Sequence, residues 1–193
     1  MHKIDDTTVK SILINGNISL RPVLISDAQN IFDIVDAQRA YLGEWLPFVR
    51  FTVNTEDTLS FVRKVIKAAE NEEEYVYVIE FKGKLAGLIN LRIMSHVNRI
   101  ADIGYWLSLR FQKNGIVSNC VIALCNHAFN HLHLNRIQIR CGMGNMPSKK
   151  VPLRLGFTFE GIIREGELLN GGYIDLEIYS LLKKERHKLP VWL

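Results

Sequence analysis

The sequence predicts a mixed α/β domain, built on a central, mostly antiparallel sheet with flanking helices. Three observations carry this. Segments of period-two alternation rich in β-branched and aromatic residues outnumber those of helical period. Two junctions between such segments read as hairpins. The order along the chain is strand, two helices, three strands, helix, strand, helix, two strands.

Residues 18–23 (Ile-Ser-Leu-Arg-Pro-Val) alternate as a short strand, and Ser26-Asp27 offers an N-cap to Ala28, Ile31, Phe32 and Val35 at helical spacing. Residues 42–48 read as a loop or short helix. Asn54 or Thr55 caps a second helix through Leu59, Val62, Ile66 and Ala69. Residues 75–81 and 85–93 flank Lys82-Gly83-Lys84, the first hairpin. A strand over residues 100–107 follows, then a helix over 115–132 with Val121, Leu124, Ala128 and Leu132 on one face. Residues 136–140 alternate strictly as a strand, and a short helix around 148–155 stops at Gly156. Residues 157–168 and 173–182 meet through Leu169-Asn170-Gly171-Gly172, the second hairpin.

A chain of 193 residues is expected to form one domain over 1–193 and to bury roughly 70% of its unfolded surface. Its apolar runs fall short of the ~18 residues a membrane helix needs. Residues 1–6 place acids where a signal peptide needs an apolar stretch, so a cytoplasmic protein with no membrane partner is expected. Cys120, Cys125 and Cys141 show no C-x-x-C spacing and read as buried small hydrophobes. His127 and His131 sit one helical turn apart without an acidic neighbour in sequence, so no metal is expected. A net charge of +4 is mild for a nucleic-acid binder, and the basic residues from Arg136 to Arg154 lack interleaved aromatics, which argues against direct nucleic-acid binding. The oligomeric state stays open, a homo-oligomer included.

The most informative region lies between Asp102 and Glu160. It holds no acid, yet carries Arg110, Lys113, Arg136, Arg140, Lys149, Lys150 and Arg154, a local positive field suited to a polyanion. Within it Gln112, Lys113, Asn114, Gly115, Ile116, Val117 and Ser118 follow a strand and open a helix. Free backbone N–H groups and the positive end of the helix dipole then meet at one point, which suits a pyrophosphate. Taken by itself, a loop whose only glycine is Gly115 could equally be just a helix start, and Asn145 just a helix cap.

Longer motifs fix the reading. Gly104-Tyr105-Trp106, Phe111-Gln112-x-x-Gly115-Ile116, Leu134-Asn135-Arg136, Gly144-Asn145-x-x-Ser148-x-x-Val151-Pro152-x-x-Leu155-Gly156-Phe157, Glu160-Gly161, Asn170-Gly171-x-Tyr173-x-Asp175 and Tyr179-Ser180-Leu181-Leu182 occur in this order. In them the chain, over residues 18–184, resembles the GNAT acetyltransferase superfamily and its RimJ/RimL branch of ribosomal-protein N-acetyltransferases. The resemblance implies a GNAT-like sheet splayed at an acyl-CoA site, and acetyl-CoA as co-substrate without a metal. It implies that the backbone of Trp106 and Leu107 borders the pantetheine, with the Leu107 N–H facing the thioester oxygen. Residues 112–118 would cradle the pyrophosphate, and Asn145 would hold the pantetheine arm. Pro152 stands where many members carry a tyrosine acid, and Val117 where a small residue is usual. The resemblance instead implies Ser148 as the acid that protonates the leaving thiolate, beside the cofactor, and Glu167 as the base. Trp45, Glu167 and Tyr173 would border the acceptor.

Amine acetylation needs a neutral amine beside the thioester, a donor for the developing oxyanion and a proton for the thiolate. The expected route is direct attack by the amine, without a covalent enzyme intermediate. At pH 7.5 an α-amine of pKa about 7.8 is roughly one-third neutral and a lysine near 10.4 about 0.1%. A single carboxylate base therefore suits an N-terminal α-amine, of ribosomal type on the resemblance. A polyamine, aminoglycoside or amino-acid acceptor, and a non-catalytic acyl-CoA-binding module, are the rival readings.

Overall fold

A computed structural model describes residues 10–190. The acidic stretch 1–6 lies outside the described residues. The strands are β1 (Ile12–Leu13), β2 (Ile18–Pro22), β3 (Glu74–Phe81), β4 (Lys84–Ser95), β5 (Ile100–Leu107), β6 (Arg136–Gly142), β7 (Thr158–Leu169) and β8 (Gly172–Leu182). The helices are α1 (Ala28–Asp36), α2 (Arg39–Leu42), α3 (Thr55–Glu70), α4 (Ile116–Asn130) and α5 (Met146–Arg154), joined by short 3₁₀ turns.

All eight strands form one sheet in the order β1-β2-β3-β4-β5-β6-β8-β7. Both expected hairpins, β3–β4 and β7–β8, are antiparallel neighbours. The exception to antiparallel pairing is β5 with β6, whose connection through α4 is the crossover that parallel neighbours require. That pairing is short. It covers Ile100–Asp102 against Arg136–Gln138, after which the two strands part and leave the C-terminal half of β5 without a partner on that side.

Alternation along the strands splits the core in two. On one face Tyr77, Ile79, Ile89, Leu91, Ile103, Leu107, Ile137, Ile139 and Tyr179 pack with Val121, Leu124, Cys125 and Phe129 of α4 and Val151 of α5. On the other, Val76, Val78, Leu88 and Trp106 pack with Ile31 and Val35 of α1 and Val62 and Val65 of α3. All three cysteines are buried thiols, and burial pushes Cys120 up to about 12.

Several local expectations are refined. Asn54, not Thr55, caps α3: its Oδ1 accepts the Asp57 N–H at 3.1 Å while Asp57 Oδ2 accepts the Asn54 N–H at 3.0 Å. Asp27 does not cap α1 with its side chain. Its buried carboxylate accepts the Leu24 N–H at 2.8 Å and both terminal nitrogens of Arg21 at 2.7 Å, because an ion pair with a neighbouring strand outcompetes the cap. The helix α5 starts two residues before Ser148, at Met146. The edge strand β7 is interrupted twice, around Glu160 and between Ile163 and Glu167, where one residue of β8 faces three of β7. At the second interruption Glu165 takes φ +50° and donates its N–H to Asp175 at 2.8 Å.

Candidate functional site

The parting of β5 from β6 leaves an opening beside the C-terminal half of β5. Ser108 donates its N–H to Ala86 of β4 at 2.8 Å. Backbone direction alternates along an antiparallel ladder, so the Leu107 N–H is directed to the opposite edge, into the opening. Trp106 is turned the other way. Its indole belongs to the second core and its carbonyl abuts Gly87, where a Cβ would collide with it.

Residues 112–118 line one end. The first helical bond of α4 is from Asn119 to Gly115 at 3.1 Å, and none of the N–H groups of residues 113–118 has an acceptor among the described residues. Gly115 holds φ +69°, and the space where its Cβ would stand is empty to 4 Å. The loop is therefore open above its free donors. Ile116 is buried in the core and Val117 packs partly against it, which fixes the helix start. The Asn114 amide folds back on the carbonyls of Phe111 and Gln112, at 3.1 and 3.0 Å. Gln112 donates to the Tyr41 hydroxyl, so its side chain ties the loop to α2.

The positive field is narrower than the acid-free sequence suggested, because the fold brings acids in from outside the segment. Arg136 pairs with Glu160, Arg140 with Asp102, and Lys149 with Glu177. Beside the loop Lys113 is exposed, Arg110 lies over the Phe111 ring at 4.6 Å, and Arg154 donates to Ser118 Oγ at 3.2 Å.

Ser148 occupies a second wall. Asn145 caps α5 by accepting the Ser148 N–H at 3.2 Å, so its capping reading holds. Ser148 Oγ lies 3.3 Å from Cys141 Sγ and donates to the Tyr105 oxygen at 3.3 Å, while the Tyr105 hydroxyl donates to the Ser148 carbonyl at 3.0 Å. Burial raises both Tyr105 and Cys141, so phenol and thiol stay protonated at neutral pH.

Glu167 lies on the other face of the sheet, opposite Ile174 and just past the second interruption of β7. It is half-buried; burial pushes its carboxyl up, and Arg140 opposes that only in part. Trp45 packs on the same face. A Cβ at Gly142 would come within 3.1 Å of both its ring and Ile174. Asn170, at the tip of the β7–β8 hairpin, donates to Gly43 O at 2.9 Å and ties the hairpin to the segment carrying Trp45. Tyr173 is separate from this group. It pairs with Leu168 on the opposite face from Glu167 and is 66% exposed.

The fold thus sets residues 113–118, Leu107 and Ser148 around the opening, with Glu167 and Trp45 on the face beyond. Sequence reasoning missed Tyr105, Tyr41 and Gln38. Tyr105 was within a quoted motif, and strand alternation puts it on the side of Ile103 and Leu107. Gln38, which holds Ser108 Oγ and the Leu109 N–H at 2.9 Å each, has partners some seventy positions away and no local signal. His127 and His131 stack at 5.1 Å between ring centres; among the described residues no group of three or more potential ligands surrounds a metal position. No described helix is long and apolar enough to cross a membrane.

Comparison with known proteins bears on the same geometry. YdaF of Bacillus subtilis (strain 168), provisionally named a ribosomal N-acetyltransferase, is 34% identical over 176 residues, 89% of this chain and 94% of its own length. The ribosomal-protein-serine acetyltransferase of Escherichia coli (strain K12) is 28% identical over 171 residues, 89% and 96% of the two chains. A solved structure of RimL, a ribosomal L7/L12 α-N-protein acetyltransferase in complex with coenzyme A, superposes with a TM-score of 0.87 at 28% identity, covering 91% of this chain and 99% of the other. The profile described as the Acetyltransferase (GNAT) domain matches residues 17–158, which include the split sheet and the open loop at the start of α4. The chain therefore belongs to the GNAT acetyltransferase family.

Proposed function

We propose that this protein is a cytoplasmic N-acetyltransferase that moves an acetyl group from acetyl-CoA to the α-amine of a protein N-terminus, a ribosomal one. The observation that carries the reading is the opening between β5 and β6, with unpaired N–H groups at the start of α4 and the Ser148 hydroxyl bonded to Tyr105 of the unpartnered half of β5. The residues present fit acetyl-CoA: the empty space above Gly115, the free donors of residues 113–118 and the charge of Lys113 suit its phosphates. When bound, it supplies an activated acyl group as a thioester.

The chain's own groups then have distinct roles. Leu107 offers its N–H to oxyanion charge, in a site where a preorganised donor is worth more than in water. Glu167 takes the amine's proton; its raised proton affinity brings it closer to the α-amine it must serve. Ser148 gives a proton to the departing sulfur. Asn145 and Trp45 border the bound partners, and the relatives named for ribosomal acetylation support a protein N-terminus as acceptor.

The test is incubation of the purified chain with acetyl-CoA and a panel of free and N-terminally blocked peptides, polyamines, aminoglycosides and amino acids, read by mass spectrometry. Acetylation of the α-amine of free peptides is expected. Products only on small amines would replace the acceptor, and none on any amine would leave a binding module.

A further inference from the structure

Serine is a weak acid. For Ser148 to protonate a thiolate, something must orient its hydroxyl and meet the charge left on Oγ. Two groups lie against that oxygen in the fold. Cys141 Sγ, at 3.3 Å, is a weak donor. The other is Tyr105, whose oxygen is 3.3 Å from Oγ and 3.0 Å from the carbonyl of the same serine. Both acceptors for the phenol proton belong to one residue, so rotation about the phenol C–O bond moves the donor from one to the other.

We propose that Tyr105 is the positioning residue for Ser148: it holds the serine hydroxyl at rest and donates a hydrogen bond to Oγ as the serine proton leaves. The proposal rests on the acetyl-transfer reading above. In the step, the Ser148 O–H bond breaks as an S–H bond forms on the departing thiolate. The electron pair left on Oγ is met by the Tyr105 O–H, and solvent returns a proton to Oγ afterwards. Tyr105 keeps its own proton throughout, as its buried phenol favours. Within a protein interior such a bond is stronger than in water.

The sequence pattern agrees with this division of labour. Gly104-Tyr105-Trp106 places Tyr105 on β5 two residues before Leu107, so the strand that offers an N–H to the opening also carries the phenol that braces the acid. Trp106, between them, anchors that strand in the opposite core.

The experiment is a double-mutant cycle on kcat with acetyl-CoA and an N-terminal peptide, using Tyr105→Phe, Ser148→Ala and the pair. Tyr105→Phe should lower kcat about 10-fold, and Ser148→Ala by about 10- to 1000-fold. The pair should be no slower than Ser148→Ala alone, with the KM for acetyl-CoA within twofold throughout. Losses that multiply, or a Tyr105→Phe enzyme within twofold of wild type beside a slow Ser148→Ala, would overturn the role of Tyr105. A Ser148→Ala enzyme as fast as wild type would instead remove the acid assignment on which the proposal stands. Should Tyr105→Phe misfold, 3-fluorotyrosine at position 105 keeps the hydroxyl and the shape. Its more acidic hydroxyl stays protonated in the buried site and donates more strongly, so its kcat at neutral pH should exceed wild type; a kcat equal to or below wild type would overturn the proposal.

Discussion

Glu167 shows at the scale of one residue how function and stability pull apart. Its carboxyl is half-buried and its pKa is raised, chiefly by desolvation. A carboxyl whose folded pKa lies above its unfolded value binds its proton more tightly when folded. Stability therefore falls as pH rises through the interval between the two. Replacing Glu167 by Gln removes this penalty. The variant should melt at or above the wild-type temperature at pH 8, and the gap should close as pH drops below the ordinary carboxylate range. Its kinetics should move the other way. With the base gone, kcat/KM should fall about 10²-fold near pH 6.5, where few α-amines are neutral, and the loss should shrink above the amine's own pKa. Parallel pH–rate profiles for the two enzymes would show that Glu167 only binds.

At the scale of elements, the long edge strand β7 is secured to its neighbours by one polar cluster. Arg136 of β6 donates to Glu160 of β7 at 2.6 Å, and Ser180 of the intervening β8 donates to the same carboxylate at 2.6 Å. These bonds hold the Glu160 carboxyl down to about 2 from 4.5. A depressed carboxylate contributes stability that is complete above its unfolded pKa and disappears as pH falls toward the folded one. Glu160→Gln should therefore lower the melting temperature at pH 7 by about 2–4 °C, taking the pair as worth about 1 kcal/mol after solvent screening. The difference should vanish near pH 2. An equal deficit at both ends of the range would mean that shape, not charge, holds the strand.

The start of α4 is the other element with a measurable consequence. A side chain at Gly115 meets no neighbour, so Gly115→Asp should cost only the left-handed backbone conformation, roughly 1 kcal/mol, and less for Asp than for most residues. It would nevertheless put a negative charge above the free N–H groups. Acetyl-CoA at a hundred times its Kd should stabilise the wild type by about 2.7 kcal/mol, or about 5–10 °C for a chain of this size. The same ligand should leave the Gly115→Asp melting temperature unchanged. A variant that still responds in full would locate the phosphates elsewhere.

For the molecule as a whole, what could be read from sequence follows the range of the interactions that decide it. Both hairpins, the strand at residues 100–107 and the helix after Gly115 were legible, because period and turn chemistry are local. Asp27 was misjudged, since a sequence shows a good cap but not an Arg21 from a neighbouring strand aimed at it. The positive field was overestimated for the same reason: Glu160 and Glu177 reach Arg136 and Lys149 only through strand pairing. At the site, the loop and Ser148 were legible through motifs. Tyr41 and Gln38, whose bonds join α2 and its cap to the end of β5, were not.

The three rungs between β5 and β6 make the sheet two antiparallel ribbons joined along a short seam, one running from β1 to β5 and the other holding β6, β8 and β7. Partial unfolding takes the route that breaks fewest contacts. In deuterium exchange, amides along that seam should open together and ahead of those between β3 and β4. Acetyl-CoA would touch residues 113–118 on one bank and Asn145 and Ser148 on the other. It would then act as a staple across the seam, slowing exchange in strands that it never contacts.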